Sequence, residues 1–181
     1  MDVRLQQTVE RLTQNDPTLQ KLKLEFSGIR DAGAQAIADA LRQNSTLQQL
    51  GLGGNGIGDA GAQAFADALR QNSTLQQLEL RGNGIGDEGA QAITDALRES
   101  STLAKLDLEN NRIGDGVFRT IQDLLEEKRI ARKAARLAAQ LIVPRLNLPE
   151  QTIKETIQLF LVTPTVFASF APSVAPAAVT T

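Results

Sequence analysis

Leucines fall along the chain in a fixed beat: Leu19, Leu22 and Leu24, then Leu47, Leu50 and Leu52, then Leu75, Leu78 and Leu80, then Leu103, Leu106 and Leu108. Each set follows the last by 28 residues. Within a set, as at Leu78 and Leu80, apolar and polar positions alternate, which predicts a short strand buried on one side. Further along each unit the period changes. Ala62, Phe65, Ala66 and Leu69 recur at the i, i+3, i+4, i+7 spacing of a helix with one inward apolar stripe. Strand and helix account for the whole unit. A unit this small buries its apolar side only by stacking on copies of itself.

The junctions repeat as well. Asn55, Asn83 and Asn111 come three residues after the last Leu of their sets, with Ser27 in the same place earlier. An Asn buried in that bend is predicted to hydrogen-bond backbone groups of neighbouring coils. Ile29, Ile57, Ile85 and Ile113 follow, each with an aspartate two residues behind: Asp31, Asp59, Asp87 and Asp115. The aspartate is expected to cap the helix that follows it, accepting from the free amides of its first turn. Gly61 and its small neighbours let that helix lie close to the strands.

The runs Leu-x-x-Leu-x-Leu-x-x-Asn at 47–55, 75–83 and 103–111, with Leu19 to Ser27 as a worn copy, resemble the leucine-rich repeat. With the Gly-Asp-x-Gly-Ala runs at 58–62 and 86–90 they are similar to its 28-residue, ribonuclease-inhibitor-like class. The resemblance covers residues 12–130. It implies a right-handed α/β solenoid, a horseshoe segment with parallel strands inside and helices outside. Known relatives are mostly protein-binding scaffolds, including enzyme inhibitors, receptor sensor regions, GTPase regulators and bacterial effectors delivered into host cells. The expected layout is a capping helix over 1–18 with Val3, Val9 and Leu12 turned inward. Four repeats follow at 19–46, 47–74, 75–102 and 103–130, then a helical C-terminal cap over 131–162 and an apolar Pro/Ala tail over 163–181. In the fourth unit Val117, Phe118 and Leu124 stand where Gly, Ala and Ala stood before, as a closing coil requires.

In such a fold the residues between the strand leucines line the concave face. They are Lys21, Lys23 and Glu25, Gln49, Gly51 and Gly53, Gln77, Glu79 and Arg81, and Lys105, Asp107 and Glu109. Units 47–74 and 75–102 differ at seven positions, two of which are Gly51/Glu79 and Gly53/Arg81. The frame is kept and the displayed residues change. These twelve residues are the candidate site for a protein partner, and a solvated face with cross-strand pairs such as Arg81 with Glu109 is the plainer alternative.

Composition narrows the chemistry. The chain has neither Cys nor His, which excludes disulfides, Cys/His zinc sites, cysteine nucleophiles and Ser-His-Asp triads. A net charge of -2 offers no field for nucleic acid. The polar start, Met1 to Gln7, lacks the apolar core of a secretory signal, and a cytoplasmic location is expected. Gly51-Leu52-Gly53-Gly54-Asn55-Gly56 fits a dinucleotide fingerprint, but its downstream acid, Asp67, falls in a helix and recurs as Asp39 and Asp95. Asp59, Asp87 and Asp115 read as caps before they read as metal ligands. No cofactor, metal or catalysis is expected.

The last third differs in kind. Residues 1–130 hold 14 basic against 19 acidic side chains, residues 131–181 hold 5 against 2. From Val117 to Val143 one helical pattern runs on, with a basic cluster of Lys128, Arg129, Arg132, Lys133 and Arg136, and it either breaks near Lys128 or projects. A second short helix is expected from Pro149 with Ile153, Ile157, Phe160 and Leu161 on one face. The prolines at 164, 172 and 176 argue against a membrane span, attachment of the basic helix to a membrane is disfavoured, and self-association through this region is a further option. The functional expectation is a protein-protein interaction scaffold. Its alternatives are a regulator of a partner enzyme, with Arg81 and Arg112 as available arginines, or a secreted bacterial effector.

Overall fold

The computed structural model describes residues 3–141. The second helix, the part of the expected 131–162 cap beyond residue 141 and the apolar tail over 163–181 lie outside those residues. The chain divides into two compact units, Met1–Arg129 and Ile130–Thr181, and the described part of the second is the end of one helix.

Helix α1 (Val3–Thr13) leads into four alternations of strand and helix: β1 (Lys21–Lys23), α2 (Arg30–Gln43), β2 (Gln49–Gly51), α3 (Asp59–Gln71), β3 (Gln77–Glu79), α4 (Asp87–Glu99), β4 (Lys105–Asp107) and α5 (Asp115–Leu141). The strands form one parallel sheet in the order β1-β2-β3-β4. Its register equals the sequence period, with Leu22 opposite Leu50, Leu50 opposite Leu78, and Leu78 opposite Leu106. Pairing continues past each three-residue strand: Leu24 N donates to Gly51 O at 2.9 Å, Leu52 N to Glu79 O at 2.8 Å, and Leu80 N to Asp107 O at 2.8 Å. The result is an α/β fold of leucine-rich type.

Equivalent residues form layers between sheet and helices. Leu50, Leu52, Leu78 and Leu80 are buried from the strand side, and Ile37, Phe65, Ile93 and Ile121 meet them from the helices. The predicted stripe Ala62, Phe65, Ala66 and Leu69 is wholly buried. In the last coil Val117, Phe118 and Leu124 pack half-buried against this core.

The asparagines bind the coils together as expected. Asn55 Oδ1 accepts from Ser27 N at 2.8 Å and Ile29 N at 3.4 Å, while its Nδ2 donates to Leu24 O and Leu52 O at 2.8 and 2.9 Å. Asn83 repeats the arrangement one coil later, and Asn111 two coils later with Ile85 N at its Oδ1. A second ladder, absent from the sequence reading, runs along the helix C-termini. Asn72 Nδ2 donates to Leu41 O and Asn44 O, and its Oδ1 accepts from Thr74 N and Leu75 N. The series 44, 72, 100, 128 ends in Lys128, whose Nζ donates to Ser100 O at 2.8 Å. That lysine, read from sequence as part of a basic cluster, closes a carbonyl that Asn would otherwise take.

The aspartates do not cap their own helices. Asp31 Oδ1 accepts from Gly58 N at 2.7 Å and Gly61 N at 3.0 Å, both in the next coil. Asp59 does the same for Gly86 and Gly89, and Asp87 accepts from Gly114 N. Each Asp sits inside the first turn of its helix, so its side chain points sideways to the free amides of the neighbour. Gly61 and Gly89 are the consequence, since a Cβ there would lie 2.8 and 2.7 Å from the incoming carboxylate oxygen. Val117 occupies that position in the last coil, which matches Asp87 accepting from one amide among the described residues. Replacing Asp59 by Ala is expected to cost about 1–3 kcal/mol by urea denaturation, because two charge-assisted bonds to helix amides go together. Asp115, exposed in the last coil, is expected to cost less than about 0.5 kcal/mol in the same assay.

Helix α1 packs on α2 with Leu12 fully buried and Leu5 and Val9 half-buried. Val3 is 65% exposed, contrary to its expected inward position. Leu5 serves instead, because Gly33 leaves room for it: a Cβ there would be 2.9 Å from Leu5 Cδ2. The following turn is held by Asp16, which accepts from Thr18 N and Oγ1 and from the Arg11 guanidinium. The Thr18 hydroxyl chiefly, then Arg11, lowers the Asp16 carboxyl to about 2. A lowered carboxylate favours the fold above its ordinary range, and that contribution fades as pH falls through about 2. The thermal midpoints of the wild type and Asp16→Asn are therefore expected to differ at pH 6 and to converge as pH drops from about 4 towards 2.

Helix α5 runs unbroken for 27 residues, so of the two alternatives the sequence left, a break near Lys128 does not occur.

Candidate protein-binding face

The residues between the strand leucines lie together on the sheet face away from the helices, because β geometry sends alternate side chains to opposite sides. Lys21, Lys23, Arg81, Lys105 and Glu109 are exposed, and Glu25, Gln49, Gly53, Gln77, Glu79 and Asp107 are half-buried. Gly51 is the exception. It is buried, because the Glu25 and Glu79 carboxylates close over it from either side, and a Cβ at Gly51 would come 2.5 Å from Glu25 Oε1. The two glycines of β2 and its continuation thus form a trough, and neighbouring acids fill it rather than leaving backbone displayed.

Charge is graded across the face. Two lysines stand on β1, neutral residues on β2, and a mixed set on β3 and β4. Arg81 and Glu109 pair across the strands as the sequence suggested, with Nη1 and Oε2 3.7 Å apart. Lys105 Nζ lies 3.9 Å from Glu79 Oε1, and Gln77 Nε2 donates to the same oxygen. With its amide oxygen turned toward Arg81, Asn110 accepts from Nε at 3.1 Å and Nη2 at 3.2 Å. These exposed pairs add little stability, each about 0–1 kcal/mol, and they orient side chains rather than hold the fold.

A hollow of about 50 Å³ lies over β1 to β3, lined by Lys21, Lys23, Gln49, Gly51, Gln77 and Glu79. That volume admits water, not a substrate; ligand pockets run to about 300–1,000 Å³. Among the described residues no group of three His, Cys, Asp or Glu is placed to hold a metal ion. Asp67, the acid of the apparent dinucleotide motif, sits on α3 bonded to Gln63 and Arg70, and Asp39 and Asp95 have the same neighbours in their helices. No described helix is long and apolar enough to cross a membrane.

One displayed residue was missed. Phe26 is 86% exposed at the rim of the face, in register with Gly54, Gly82 and Asn110. All four are left-handed, with φ of 53, 68, 70 and 57°. Comparing the four units at this one position gives the signal: an aromatic where its copies hold Gly, Gly and Asn.

A family model described as the TMOD/LMOD leucine-rich domain matches residues 1–155. The solved structure of leiomodin-1 actin-binding site 2 shares 25% identity at a TM-score of 0.59, the match covering 77% of this chain and 98% of that one. The C-terminal domain of tropomodulin from Caenorhabditis elegans shares 12% identity at a TM-score of 0.52, covering 74% and 98%, a likeness of fold alone. No curated protein matches the chain.

Proposed function

The chain belongs to the family of TMOD/LMOD leucine-rich domains, and from that membership we propose that it is a protein-binding module without catalysis of its own. We propose actin as the partner and the strand face as the site. The observation that carries this is the likeness to leiomodin-1 actin-binding site 2, which extends over 98% of that structure. The face itself supports a macromolecular partner: the hollow over β1 to β3 is water-sized, and the displayed side chains vary on a constant frame. The 28-residue register supports the ribonuclease-inhibitor-like class of repeat as part of this reading. A cytoplasmic location belongs to the same proposal.

Titrating labelled actin with the protein tests it by fluorescence anisotropy. Saturable binding at micromolar concentration or tighter is expected. The combined changes Glu79→Arg, Arg81→Glu and Asp107→Lys are expected to weaken it at least about tenfold, since reversed charge on a contact face costs about 1.4 kcal/mol or more. Circular dichroism should show the fold intact, because all three side chains are exposed or half-buried. Flat anisotropy with the wild type would remove the actin reading. Unchanged binding by the triple variant would remove the strand face as the site.

A further inference from the structure

Phe26 is the largest apolar side chain in the described chain that stands this far into solvent, and its backbone is in a conformation that disfavours it. A left-handed φ of 53° is ordinary for Gly and tolerable for Asn, the residues its copies carry, but costly for an aromatic. The fold requires that conformation in every coil. Phe26 N donates to Gly53 O at 2.9 Å, as Gly54 N does to Arg81 O at 3.0 Å and Gly82 N to Glu109 O at 2.9 Å. A methyl group at Gly54 would overlap its Cδ1 and Cε1 atoms, so the ring lies against bare backbone on one side with its other side open. Gly82 continues that bare strip, and Asn110, engaged by Arg81, ends it.

Strain retained at an exposed position points to use rather than to folding. An exposed aromatic beside a floor of glycine backbone offers one apolar wall and a surface that a partner can approach closely. Resting on the actin reading above, we infer that Phe26 is an anchor of the actin contact, with an apolar segment of actin seated on the Gly54–Gly82 strip against its ring. The contact then extends from the strand face over its rim, and the aromatic supplies what the charged strands lack.

Phe26→Asn tests this, because Asn is what the fourth coil carries at the same place. Relief of strain offsets the lost ring contact, so its thermal midpoint is expected to be unchanged or raised by about 2–4 °C. Its affinity for actin is expected to fall about tenfold or more, and Phe26→Tyr, which keeps the ring, to retain the wild-type value within about threefold. A more stable variant that binds less well supports the anchor. Phe26→Asn binding as tightly as wild type, while the strand-face triple variant does not bind, overturns the anchor and leaves the proposed function standing. Absence of binding by the wild type removes both. If sedimentation shows wild-type dimers that Phe26→Asn dissolves without change in actin affinity, the ring serves a second copy of the chain and the inference fails.

Discussion

Replacing Asn55 by Ala is expected to cost about 3–5 kcal/mol, a large part of the stability of a domain this size. Asn55 is only 2% exposed and holds five backbone groups, two N–H and three C=O, in two successive coils. Leu52 O keeps Asn83 Nδ2 and Gly53 O keeps Phe26 N, but alanine takes the amide from Ser27 N, Ile29 N and Leu24 O, and each buried orphan costs about 1–3 kcal/mol. Some recover by local shifts, hence an expectation below the full sum. Ser27 stands at the same position in the first coil, where no earlier coil needs its help, and among the described residues its Oγ donates to Glu25 O alone, at 3.3 Å. Ser27→Ala is therefore expected to change stability by less than about 0.5 kcal/mol. Urea denaturation followed by circular dichroism measures both. Equal and small losses at the two positions would mean that the coils cohere by side-chain packing alone.

Phe65→Ala is expected to cost a similar amount, about 3–5 kcal/mol, for an unrelated reason. Phe65 is 1% exposed and fills the layer that Ile37, Ile93 and Ile121 fill in the other coils. Removing the ring opens a cavity between helix and sheet that neither rigid neighbour can close. Phe65→Ile adopts the residue of the adjacent units and is expected to cost less than about 1.5 kcal/mol, since the frame already accommodates it there. Thermal unfolding of the two variants separates volume from identity. Similar losses for Ala and Ile would show that the layer selects an aromatic at this coil and is not interchangeable between units.

The repeat made most of the fold legible, because a 28-residue register imposes the same geometry on equivalent side chains. Leu50, Leu78 and Leu106 could be placed opposite one another, and Asn55, Asn83 and Asn111 could be given their bonds, before any coordinates. What failed were inferences confined to one element. Asp59 looks like the cap of its own helix when only its local neighbours are considered, yet its bonds go to Gly86 and Gly89. The clue was present in Gly61 and Gly89, two residues after Asp59 and Asp87, each of which admits the carboxylate of the coil before. Val3 was assigned inward on apolarity alone, whereas the room left by Gly33 selects Leu5. Asn44 and Asn72 drew no reading of their own, although their series with Ser100 and Lys128 has the same period as the ladder that was recognised.

The candidate face was legible in outline and not in detail. Alternation along a strand places a side chain on a face, so the twelve displayed positions follow from the pattern. It does not reveal that long neighbours fold across a short one, which is how Glu25 and Glu79 bury Gly51. Nor does it reach Phe26, whose left-handed backbone lies beyond the end of β1.

Where actin touches the chain is the question on which the functional account turns. A photo-reactive amino acid placed at Gln77, on the strand face, and in a second protein at Gln63, on the outer side of α3, answers it directly. Covalent capture of actin from position 77 and none from position 63 is the expected result; capture from 63 and none from 77 would contradict the account.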